Sequence, residues 1–101
     1  MNNIQKQNLE EIISILTKSS IVFMEYMRRF EPTWNNEDKE EAKIMLGEMV
    51  LLTQGFQKAV SGEIKGKELD AIFSLIPNSK IVYEELVINV SQWLKQDDNQ
   101  Q

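Results

Sequence analysis

Residues 38–61 read DKEEAKIMLGEMVLLTQGFQKAVS, and the folding of that stretch decides the rest. At about 100° per residue, Ala42, Met45, Leu46, Met49, Leu52 and Phe56 fall on one side of a helix, joined by Val50, Ala59 and Val60. Ile44 and Leu51 lie outside that side, one heptad apart, so only a narrow polar strip (Lys43, Gln54, Lys58, Ser61) is left. A helix apolar over most of its circumference packs against neighbours on more than one side. The stretch therefore predicts the central helix of a small all-α domain. Gly47 and Gly55 interrupt it at about 1 kcal/mol each relative to alanine, which points to the close approach of another helix.

Just before it, EPTWNN (residues 31–36) reads as a loop. Glu31 precedes Pro32 and so avoids the α region, ending whatever helix comes before. Asn35 or Asn36 can cap the central helix, and Glu37, Asp38, Glu40 and Glu41 suit the positive end of its dipole. The acidic run is thereby explained as a helix start. It lacks the alternating ligands and mid-loop glycine of a calcium loop.

The first thirty residues form one amphipathic pattern, with Leu9, Ile12, Ile13, Leu16, Phe23 and Met27 at helical spacing. Asn2 and Gln5 make a capping box at its start, and Arg28 and Arg29 suit its negative end. A helix over residues 3–30 would be roughly 42 Å long. A bend is expected at Lys18-Ser19-Ser20, where hydroxyls compete for backbone groups.

On the C-terminal side, Gly62 can take the left-handed conformation that ends a helix, and Gly62–Gly66 reads as a short connection. Leu69, Ile72, Phe73 and Ile76 predict a brief helix over residues 67–76. Pro77 is expected to break it, with Asn78 or Ser79 capping a last helix over residues 79–96. That helix would bury Val82, Tyr83, Leu86, Val90, Trp93 and Leu94, and the polar residues 97–101 would fray. The expected architecture is a four-helix bundle on a long antiparallel helix hairpin, with helices at about 3–30, 37–61, 67–76 and 79–96. Residues 1–96 would form one domain.

Composition narrows the chemistry. The chain has 101 residues, no cysteine and no histidine, and a net charge of −5. Disulfides, thiolate chemistry, Cys/His zinc sites and imidazole acid–base work are excluded. Basic residues are dispersed and outnumbered, which argues against a nucleic-acid backbone as main partner. The N-terminus has no basic segment followed by an apolar one, and the longest apolar run is Ile21–Met24, so a cytoplasmic location without a membrane span is expected.

No catalytic, metal-binding or cofactor-binding residue stands out. The Glu-x-x-His motif of di-iron bundles is missing. Glu25 lies opposite the main stripe beside Arg28 and Arg29, as in a solvated ion pair, and Glu48 borders the apolar face, where it can pair with a neighbour. The glycines of SGEIKGKE do not match either phosphate-loop spacing. Residues 67–76 would make a poor DNA recognition helix, with Glu68 and Asp70 where Arg, Asn or Gln is wanted.

One feature points to function. Smaller apolar stripes recur away from the main faces: Ile15, Val22 and Tyr26, then Ile44 and Leu51, then Ile81 and Ile88. Either neighbouring helices cover them or they form a dimer face or partner groove. Trp34, in a loop close to Arg28, Arg29 and Tyr26, adds residue types common at interface hot spots, unless it folds back onto Phe30 or Met45. The expected function is a small acidic protein-binding module, a regulator, inhibitor or adaptor that covers part of a larger protein. Its contact residues would be Ile15, Val22, Tyr26, Arg28, Arg29, Trp34, Ile44 and Leu51. A homodimer through the stripes is also expected. The alternatives are a nucleic-acid-associated protein using Lys18, Arg28, Arg29, Lys58, Lys65 and Lys67, and a carboxylate-based enzyme.

Overall fold

The computed structural model describes residues 1–100, with side chains as far as Asp98. The protein is all-α, with three helices among the described residues: α1 (Asn3–Phe30), α2 (Asn36–Val60) and α3 (Lys67–Gln100). A single 3-10 turn, Glu31–Thr33, follows α1, and no strand occurs among the described residues.

The helix ends follow local chemistry. The Asn2 side chain accepts from the Gln5 amide at 2.8 Å, and the Gln5 side chain accepts from the Asn2 amide at 3.1 Å. Asn35 caps α2 by accepting from the Asp38 amide at 2.8 Å. Gly62 (φ 82°) and Gly66 (φ 66°) bracket the connection to α3 in left-handed conformations, which residues with a Cβ adopt at a cost.

Two expectations about architecture are corrected. The helices expected at 67–76 and 79–96 are one continuous helix, so there are three helices rather than four. Pro77 lies inside α3, and neither Asn78 nor Ser79 caps anything; Ser79 is buried. The reason is the unbroken apolar line. Ile72, Ile76, Ser79, Tyr83, Leu86 and Val90 keep helical spacing straight through the proline. Each large apolar side chain buried along that line contributes about 1.5–3 kcal/mol, enough together to offset the roughly 3 kcal/mol cost of a helix-interior proline. Pro77 itself is exposed, on the side where water can replace the lost hydrogen bond. The C-terminal stretch expected to fray is helical as far as Gln100, and only Gln101 lies outside the described residues.

The second correction concerns which helix is central. It is α1, not α2: α1 packs along both other helices, which make little contact with each other. Tyr26 beside Trp34 and Ser20 beside Met49 show α2 running back along α1. Contacts of Glu11 with Lys80, Ser19 with Tyr83 and Tyr26 with Trp93 show α3 running parallel to it. The Ser19 hydroxyl is buried within reach of the carbonyls of Ile15 (2.8 Å) and Tyr83 (3.1 Å), while that of Ser20 faces the Met49 sulfur at 3.7 Å. The adjacent serines are thus the small residues at which α1 meets each neighbour, and α1 is helical through both. The molecule measures 49 × 26 × 19 Å, its length close to the ~51 Å of a 34-residue helix.

Candidate partner-binding groove

At one end of the molecule α2 and α3 meet. A Cβ on Gly55 would stand 3.5 Å from the Ile72 side chain, in ordinary contact, whereas one on Gly47 would meet nothing. A Cβ fits at both positions, so the close helix approach expected at Gly47 and Gly55 explains neither glycine. Leu9, Ile12, Leu16, Met49 and Phe56 are fully buried.

Toward the other end, a groove of about 270 Å³ opens between α2 and α3. Phe23 of α1 forms its floor, Met45 stands on the α2 side, and Val82, Leu86 and Trp93 stand on the α3 side. Met45, Val82 and Trp93 were assigned by periodicity to buried faces, yet they are 40%, 44% and 46% exposed. The groove leaves them partly uncovered.

The groove runs into an aromatic cluster around Tyr26. Its ring lies 5.0 Å from Phe30, 5.4 Å from Trp34 and 5.3 Å from Trp93, centroid to centroid, within the contact range of aromatic pairs and tilted between stacked and edge-to-face. Two further hollows meet there: about 290 Å³ lined by Trp34, Asp38, Glu41 and Met45, and about 280 Å³ lined by Phe30, Trp93, Gln96 and Asp97. Tyr26, Met45 and Trp93 each belong to two of the three spaces.

The end of α1 is held by charge. Glu25 receives Arg28 Nε at 3.0 Å and Arg29 Nε at 2.9 Å, and Arg29 also reaches Asp98 at 2.6 Å and Asp97 at 3.5 Å. Hydrogen bonds from Arg28, then from Arg29, hold the Glu25 carboxyl down at about 2. Burial pushes the Tyr83 phenol above its usual range, and the negative charge of Glu48 adds to it.

The eight residues expected at an interface separate into groups. Ile15, Val22 and Tyr26 are half-buried against the core, with Ile15 sharing a hollow with Val87 and Ile88 and Tyr26 set against Trp93 of α3. Arg28 and Arg29 are engaged by carboxylates. Trp34 folds back onto Tyr26 and is half-buried. Of the apolar members, Ile44 and Leu51 are widely exposed, at 61% and 69%. Of the eight, Tyr26 and Trp34 border the groove; Met45, Val82 and Trp93 were not among them.

A larger hollow of about 500 Å³ lies beside the Gly62–Gly66 connection, but its lining combines Lys58 and Glu63 with glutamines and offers no concentrated charge. Among the described residues no group of three His, Cys, Asp or Glu could hold a metal ion. No helix there is long and apolar enough to cross a membrane. No family model, curated protein or solved structure matches the chain.

Proposed function

We propose that this protein is a binding module for another protein, a small regulator, inhibitor or adaptor of the cytoplasm, and that it works through the groove between α2 and α3. The observation that carries this reading is the groove itself: Met45, Val82 and Trp93 partly uncovered over a Phe23 floor, next to a four-membered aromatic cluster. Large aromatic side chains set around a concave apolar site are the groups that dominate binding when a partner excludes water from them.

The nucleic-acid alternative is weakened by Arg28 and Arg29, whose charges are already met by Glu25, Asp97 and Asp98. The homodimer expected through the secondary stripes loses most of its α1 contribution to the core, while Ile44 with Leu51 and Ile81 with Ile88 stay exposed for self-pairing.

Affinity capture from the native cell tests the reading when wild type is compared with Trp93→Lys and Leu51→Lys. A partner retained by wild type and by Leu51→Lys, but lost with Trp93→Lys, is the expected result. Retention by wild type and both variants alike, or steeply salt-dependent binding to duplex DNA, would overturn it.

A further inference from the structure

The three spaces that meet at Tyr26, Met45 and Trp93 are lined by apolar side chains, a few amides, and the carboxylates of Asp38, Glu41, Glu85 and Asp97. Neither lysine nor arginine lines any of them. The acids stand on both banks, Asp38 and Glu41 on α2, Glu85 and Asp97 on α3. Asp97 faces Arg29, whereas Asp38, Glu41 and Glu85 have no ion-pair partner among the described residues. Glu85 lines the groove itself, Asp38 and Glu41 the hollow beside Trp34 and Asp97 the hollow beside Phe30, so the joined surface is apolar in the middle and negative on both its α2 and α3 sides.

We infer that its occupant is an amphipathic helix of another protein, apolar along one edge and carrying Lys or Arg on both flanks. This rests on the protein-binding reading above and adds the chemistry of the partner. Both walls are helices whose backbone bonds are internally satisfied, so no strand edge is on offer to an extended peptide. A helix needs no such edge. The α3 wall from Val82 to Asp97 spans about 22 Å, room for roughly four helical turns, about 15 residues. Apolar residues at i, i+3 or i+4, i+7 and i+11 would seat against Phe23, Met45 and Trp93, with cations meeting Glu41 and Glu85 at the edges. A second copy of this chain is a poor occupant. Its net charge is −5, and pairing groove against groove would set these carboxylates face to face. Anionic lipid and nucleic acid are repelled for the same reason.

The test is selection from a displayed library of 16-residue helical peptides, randomised over both apolar and flanking positions, against the full-length chain. Selected peptides are then measured by fluorescence anisotropy against wild type, Glu41→Gln/Glu85→Gln and Trp93→Ala. Expected are peptides with a basic residue on each flank of an apolar stripe, a loss of at least about tenfold with the neutralised pair, and weakening with added salt. Glu41 and Glu85 are exposed and without ion-pair partners, so their replacement leaves the fold intact, as circular dichroism would verify. Apolar peptides with neutral or acidic flanks that lose affinity only with Trp93→Ala would overturn the charge inference and leave the groove standing. Peptides indifferent to all three substitutions, or no selection above background, would overturn both. Sedimentation equilibrium showing a wild-type dimer that Trp93→Ala dissociates would install a second copy as occupant instead.

Discussion

The two ends of this molecule are built from the same three helices, yet one is a core and the other a groove. Where the Gly62–Gly66 connection ties α2 to α3, Gly55 borders Ile72, and Leu9, Leu16 and Phe56 are sealed from water. Further along α3, with no connection to draw the helices together, Val82 and Trp93 face Met45 across open space. What differs is how closely α2 and α3 approach each other over α1: near the connection Gly55 borders Ile72, whereas over Phe23 the two helices stand apart. Site and core are one amphipathic design with and without a lid.

Several substitutions would break or sharpen that contrast. The largest effect belongs to the closed end: Phe56→Ala should cost about 3–5 kcal/mol in denaturant unfolding, from lost transfer energy plus the cavity left behind. Trp93→Ala, in the half-open cluster, should cost less than half as much. Equal costs would mean that the groove is as well packed as the core.

Next comes the proline inside α3. Pro77→Ala should stabilise the protein by about 2 kcal/mol, from roughly 3 for removing a helix-interior proline less about 1 for the freer unfolded chain. Destabilisation would show that the chain turns at Pro77 and that α3 is two helices after all.

Acid should act on the open end through Glu25. Its carboxyl is depressed to about 2 in the folded protein by Arg28 and Arg29, below its unfolded value near 4.5. Its contribution is therefore complete above pH 4.5 and fades as pH falls toward 2. The stability difference between wild type and Glu25→Gln, followed by thermal melting, should shrink over that window. A difference that persists at pH 2 would show that Glu25 acts other than through its charge.

The smallest effect is expected at Leu51→Glu, within about 0.5 kcal/mol because the side chain lies in water. Val22→Glu, by contrast, reports on folding, since Val22 is half-buried against the core. A large loss at Leu51 would show that α2 is covered on its outer face, as self-association would cover it.

Much of this was legible residue by residue. The Asn2/Gln5 box, the Asn35 cap, the Gly62 terminus and the Glu25 ion pair lie within a few residues of their partners, so the chain carries its own instructions for them. Tyr26 and Trp34 could be singled out because aromatic side chains close to a helix end are conspicuous. Met45, Val82 and Trp93 could not. Their wheel positions are those of core residues, and no signal in the sequence separates an apolar face that is covered from one left open.

The sequence by itself determined that the chain is helical, where helices begin, and which sides avoid water, because capping, dipole and 3.6-residue periodicity are local. Only the tertiary structure decided that α1 rather than α2 is central, that α3 continues through Pro77, and that α2 and α3 separate over Phe23. Those outcomes depend on which faces meet across sixty or more residues of chain, as Ser19 meets Tyr83. Apolar burial is non-directional, so a hydrophobic stripe specifies that it be covered without specifying by what.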